Sequence, residues 1–219
     1  MLGEIPEINL LSYDIIPPMG IYKIIILFFL TVLNADARPI SYSGGTTIMY
    51  KSDTFNDSVY LHYSPTYKYS IGLERAKNKF YKNTENYFRF TYLVNRKNTF
   101  KSQRNLYFQS GVVPGGVENN FYGIHGDWET RKWYAGFGLK DINNKFSKDY
   151  KEEYIQLGFA PYVADYNNLH TWIMVKTKKN TVTNKSSTYP ELKFFYGNTL
   201  VEFGYSAVTD WDLHFMYRF

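Results

Sequence analysis

The sequence predicts an all-β protein built as an antiparallel up-and-down barrel, and three observations predict it. Beyond Ala37 the chain is a series of short runs that alternate apolar and polar residues at period two, with no helical period among them. Asn, Gly, Pro, Ser and Lys punctuate these runs at short intervals, which is the grammar of strands joined by turns. The chain is also 20% aromatic, with Tyr 22 and Phe 17, yet its mean hydropathy is below zero. Low mean hydropathy argues against a helical membrane protein. It does not argue against a barrel, whose alternating strands hide their apolar face from any averaged scale.

The first element is not a strand. Ile24–Leu33 is the single long apolar run, with Lys23 before it and Asn34-Ala35-Asp36-Ala37 after it. A positive residue, an apolar stretch of ~7–15 residues and an A-x-A site together read as a secretory signal peptide. The run falls short of the ~20 residues a membrane-spanning helix needs. Glu4, Glu7 and Asp14 are unusual ahead of such a signal, and Met19-Gly-Ile-Tyr-Lys23 makes an ordinary start in their place. The expected organisation is a signal peptide over residues 1–37 and a barrel over residues 38–219. Cutting after Ala37 removes Lys23 and four acids, Glu4, Glu7, Asp14 and Asp36, and so raises the formal charge from +5 to +8. The absence of Cys fits an exported chain stabilised by sheet closure without disulfides. Export makes a nucleic-acid partner unexpected despite the basic balance, which suits anionic lipid phosphates.

Eleven candidate segments follow. Gly44–Lys51 is the least regular. Val59, Leu61 and Tyr63 alternate with Tyr60 and His62, and Ser64-Pro65-Thr66 reads as a turn. Tyr67–Glu74 places Tyr67, Tyr69, Ile71 and Leu73 on one face. In Tyr87–Asn95, Phe88, Phe90, Tyr92 and Val94 oppose Arg89 and Thr91. Leu106, Phe108, Ser110 and Val112 alternate with Asn105, Tyr107 and Gln109 before Pro114-Gly115-Gly116 stops the run. Tyr122–Leu139 reads as one strand or two. Tyr154–Val163, His170–Lys176, Leu192–Tyr196, Leu200–Tyr205 and the final strand complete the chain, with Gly197-Asn198 as a hairpin signal. Transmembrane barrels of this kind have even strand numbers, so one of the eleven divides or drops out. At ~9–11 residues per tilted strand, the expected count is about ten, within a range of 8 to 12.

The final strand carries the clearest pattern. Trp211, Leu213, Phe215, Tyr217 and Phe219 share one face, while Asp212, His214, Met216 and Arg218 share the other. An alternating aromatic strand ending on a C-terminal Phe resembles the closing strand of Gram-negative bacterial outer-membrane β-barrels. In that family the terminal aromatics, here Phe215, Tyr217 and Phe219, resemble an assembly signal read by the barrel assembly machinery. The resemblance implies a transmembrane barrel in the cell outer membrane, in contact with outer-membrane lipid and lipopolysaccharide. Aromatics near segment ends, such as Trp133-Tyr134, Phe194-Phe195-Tyr196 and Phe80-Tyr81, sit where interfacial girdles belong. His62-Tyr-Ser-Pro-Thr66, Asp127-Trp-Glu-Thr-Arg131 and Leu169-His-Thr-Trp172 resemble fixed motifs of an uncharacterised proteobacterial outer-membrane family, with no activity attached.

Four ionisable residues, His125, Asp127, Glu129 and Arg131, share one face of their segment, opposite Ile124, Trp128 and Thr130. With the apolar face toward lipid, they point into the lumen, as do Asp212, His214 and Arg218. His62 and His170 fall on the polar parity of their own strands, so all four His are lumenal candidates. Three chemistries fit such a set. Ion pairs and hydrogen bonds fill the lumen of any small barrel. A metal site on His62, His125, His170 and His214 suits Zn, Cu or Ni, but no C-x-x-C or H-E-x-x-H spacing supports it. Acid–base catalysis beside a Ser or Thr nucleophile has no Gly-x-Ser-x-Gly elbow behind it. Three basic stretches, Lys77–Lys82, Arg96–Arg104 and Lys176–Lys185, offer cations to lipopolysaccharide phosphates. The expectation is an integral outer-membrane barrel with a polar, occluded lumen, structural or transport-associated, with no catalytic residues and no cofactor. The alternative is a barrel enzyme acting on lipid, or a metal-handling protein using the lumenal His/Asp/Glu cluster.

Overall fold

The computed structural model describes residues 39–219, apart from Phe146, Tyr166, Asn167, Val208 and Thr209. Ile24–Leu33 and the expected cut after Ala37 lie outside the described residues. Twelve strands form: β1 (Gly45–Ser52), β2 (Asn56–Thr66), β3 (Tyr69–Asn78), β4 (Asn83–Asn98), β5 (Ser102–Val113), β6 (Gly116–Thr130), β7 (Trp133–Asn143), β8 (Tyr150–Phe159), β9 (His170–Asn180), β10 (Lys185–Tyr196), β11 (Thr199–Ser206) and β12 (Asp210–Arg218). Each pairs antiparallel with its sequence neighbour, and β1 pairs with β12, from Thr47↔Arg218 to Ser52↔Leu213. The result is a closed up-and-down barrel with no free edge.

The count is twelve, within the expected range of 8 to 12. Gly44–Lys51 contributes a full strand, β1, and Tyr122–Leu139 is two strands, β6 and β7. The turn between them, Arg131-Lys132, contains no Gly, Pro or Asn. Instead the Thr130 hydroxyl accepts hydrogen bonds from the backbone N–H of Lys132 (3.1 Å) and Trp133 (2.8 Å), so one side chain replaces the usual turn residues. Ser64-Pro65-Thr66 is likewise the end of β2, where the β2–β3 register shifts between Tyr63 and Thr66. Stepping across the ladders from Thr47 passes through His62, Gly72, Arg89, Gly111, Phe121 and Ile142 to Tyr150. Thr47 lies by the mouth where β1 begins and β12 ends, the terminus-side mouth, and Tyr150 lies by the other. The strands therefore tilt and their register staggers, as closure requires.

The two faces of this sheet are inverted relative to a water-soluble protein. On β2, Val59, Leu61 and Tyr63 are 45%, 49% and 46% exposed, whereas Tyr60 and His62 between them are 2% and 1% exposed. On β9, Val175 is 54% exposed and its neighbour Lys176 only 8%. Outward charges among the described residues keep to the strand ends. Arg75, Lys77, Asp141, Lys151, Glu153 and Lys179 lie toward the far mouth, Lys97 and Arg104 toward the terminus-side mouth. An outer apolar band thus surrounds a polar interior.

Candidate functional site

The interior is the candidate site, and its walls are filled differently. Along β9–β12 the filling is charge. Lys176 Nζ stands 3.1 Å from Asp212 Oδ2 and 3.4 Å from Glu191 Oε1, so one ammonium from β9 binds carboxylates from β12 and β10. The Tyr189 hydroxyl also donates to Asp212. Lys193 Nζ is 3.1 Å from Glu202 Oε1, and the other oxygen of Glu202 is 2.8 Å from His214 Nδ1. Lys178 continues the series to Asp53, in the β1–β2 turn. Lys176, Glu191, Lys193, Glu202 and Asp212 are buried and His214, Lys178 and Asp53 half-buried, so the charges depend on one another more than on solvent.

A second ionic group lies on β3–β5. Arg89 Nη1 is 2.8 Å from Glu74 Oε2 and its Nη2 is 2.5 Å from Gln109 Oε1, while its guanidinium carbon sits 4.3 Å above the Tyr60 ring. Along β5–β8 the filling is aromatic and rests on glycine. A Cβ on Gly138 would stand 2.2 Å from the Tyr154 ring, and one on Gly111 would stand 2.3 Å from Phe121. Flat rings lie where side chains are missing. The walls also meet across the lumen, where Lys193 of β10 caps the Tyr134 ring of β7 at 4.0 Å; within the aromatic wall Gln156 Nε2 of the neighbouring β8 donates to the Tyr134 hydroxyl at 3.1 Å. The space left is a cavity of about 250 Å³, lined by Lys51, Glu74, His125, Asp127, Glu129 and His214 among others.

The residues singled out from the sequence are dispersed round this interior. His125 stacks on Tyr107 with centroids 4.8 Å apart, and Asp127 accepts from Asn105 Nδ2 at 2.7 Å. Glu129 lines the cavity at its terminus-side end. Asp212 and His214 belong to the β9–β12 network, and Arg218 is buried beside the terminus-side mouth. Arg131 is a correction. The Thr130 turn ends the strand before it, so its guanidinium stands at the surface, 69% exposed and 3.6 Å from Asp165. His62 packs on Tyr60 at 4.7 Å and His170 on Trp172 at 5.9 Å. The four imidazoles occupy β2, β6, β9 and β12, each with its own partner ring or carboxylate. Among the described residues no three His, Asp or Glu side chains converge as metal ligands would. Phe215, Tyr217 and Phe219 lie on the outward parity of β12 and its end, with the Tyr217 and Phe219 rings 5.6 Å apart.

Sequence reading missed Lys176, Glu191, Lys193, Glu202 and the Arg89–Glu74 pair. Parity places each on an inner face, but only the register across neighbouring strands makes them partners. No known family model matches the chain, and no curated protein is significantly similar to it in sequence.

Proposed function

We propose that the chain is an exported protein of the bacterial outer membrane, spanning it as this barrel, with a lumen closed to free passage and a structural or transport-associated role. The supporting observation is the inverted sidedness. Leu61, Leu73, Ile155 and Val175 face outward, and Lys176, Glu191, Arg89 and Glu74 face inward. In a bilayer every backbone polar group must be satisfied within the protein, and a closed barrel does this while offering lipid an apolar surface. Tyr63, Tyr69, Trp133 and Tyr196 toward one mouth, and Tyr50, Tyr205 and Trp211 toward the other, suit the two interfaces.

In this reading the termini lie on the periplasmic side and the basic stretches Lys77–Lys82 and Lys176–Lys185 share the outer mouth, where lipopolysaccharide phosphates are within reach. Arg96–Arg104 lies at the opposite mouth. The strand ending at Phe219 is what the barrel assembly machinery reads. The enzymatic or metal-handling alternative gains no support from the geometry, because His214 is committed to a carboxylate that also holds Lys193.

The test is expression in a Gram-negative host followed by fractionation. The protein should sediment with outer membranes and migrate faster on gels unboiled than boiled. A chain recovered soluble from the periplasm, without detergent, would overturn the proposal.

A further inference from the structure

Residues 39–45 are not a simple lead-in to β1. The Gly45 N–H bonds to the Tyr42 carbonyl at 3.0 Å, and Gly44 between them has φ +84°. This is a turn with a left-handed residue at its third position, where glycine is the residue that fits. A Cβ on Gly45 would meet Ser41 Oγ at 2.5 Å, so the chain before the turn is folded tightly back on the chain after it. The reversal carries Pro39, Ile40 and Ser41 inside the barrel. Ile40 is 3% exposed and packs with Leu93 of β4 and Tyr107 of β5. The Ser41 N–H donates to Ser64 Oγ of β2 at 3.0 Å. The segment therefore binds three strands from within, beside the β1–β12 seam, where Thr46 and Phe219 exchange two backbone hydrogen bonds of 3.0 Å.

Its position relative to the cavity gives it consequence. The lining of the cavity runs from Asp53 and Asn56 at the far mouth to Pro39, Glu129 and Tyr134 near the terminus-side mouth. Pro39 thus stands at the end of a polar space that already reaches most of the barrel's length. We infer that residues 39–41 are a plug, and that withdrawing them joins the cavity to the terminus-side mouth as a path for small hydrated ions. An apolar Ile40 clasped by Leu93 and Tyr107 seals without a covalent bond, whereas the ionic walls are fixed by their own pairs. The barrel is then a shut pore with its stopper built from its own N-terminal segment. This inference rests on the membrane-spanning reading.

The test uses protein starting at Arg38, refolded into planar lipid bilayers in potassium chloride, beside a version starting at Tyr42 and a full-length Ile40→Asp variant. The parent should give a flat baseline, and both altered proteins discrete open steps. A parent already conducting like the truncated form overturns the inference, as does a truncated barrel that is heat-modifiable and stays shut. Should both altered proteins fail to fold, Ile40→Cys in this cysteine-free chain keeps the segment in place. A bulky polyethylene-glycol maleimide should modify it after boiling and leave it unmodified in the folded barrel. Rapid labelling of the folded form sinks the plug. Failure to insert into lipid or to shift on heating is a separate result, and it counts against the membrane reading itself.

Discussion

The β9–β12 wall and the β5–β8 wall solve one problem by opposite means. Both are inner surfaces of the same sheet, and both narrow the lumen with their side chains. On β9–β12, Lys176, Asp212, Glu191, Lys193, Glu202 and His214 neutralise one another across strands. On β5–β8, Gly111 and Gly138 remove side chains so that Phe121 and Tyr154 can lie against bare backbone. The first wall is sensitive to the loss of a partner and tolerant of shape. The second is sensitive above all to added volume. Lys193 above the Tyr134 ring is where the two systems touch.

The largest expected effect comes from breaking the ionic wall at its hub. Lys176→Met strands Asp212 and Glu191 as buried carboxylates without their cation, and the urea midpoint of the refolded protein should fall by the equivalent of about 3–5 kcal/mol. A charge on the outer face comes next. Ile124→Arg sets a guanidinium within the outer apolar band, against lipid in the proposed membrane setting, and the same titration should read a loss of ~2–4 kcal/mol, well above that of Glu129→Gln across the sheet. Equal losses would mean the two faces of β6 are alike. Overfilling the aromatic wall is milder. Gly138→Ala puts a methyl 2.2 Å from Tyr154, and the expected cost is about 1–3 kcal/mol, partly relieved in Gly138→Ala/Tyr154→Leu. A double-mutant cycle without such relief would show that the ring is not what the glycine accommodates. The smallest change should be Arg131→Ala, whose partner Asp165 is even more exposed than itself; refolding should move by no more than ~0–1 kcal/mol.

The same contrast separates what the sequence makes legible from what it hides. Facing is legible, because a strand has a side-chain period of two and the outer and inner sets of β2, β4 and β12 differ sharply in polarity. Partnership is not. Lys176 and Glu191 lie fifteen positions apart and meet only through the register of β9 on β10. The division of Tyr122–Leu139, which the sequence leaves open as one strand or two, falls at Thr130, where a hydroxyl makes a turn out of residues that look like a continuing strand. Ser43-Gly44-Gly45 reads as the loose start of a strand. That it folds Ile40 inward depends on Leu93 and Tyr107, roughly fifty and more residues downstream, in a register no local pattern encodes.

The central claim is that lipid surrounds this barrel and the polar wall is hidden from it. The four tryptophans test it directly, since Trp128, Trp133 and Trp211 are 42%, 59% and 56% exposed on the outside while Trp172 is 8% exposed within the lumen. Four single-tryptophan proteins, the other three replaced by Phe, can be refolded into vesicles whose acyl chains carry bromine. A membrane-seated barrel predicts strong quenching of Trp128, Trp133 and Trp211 and little of Trp172. Equal quenching at all four sites, or quenching of Trp172 alone, would contradict it.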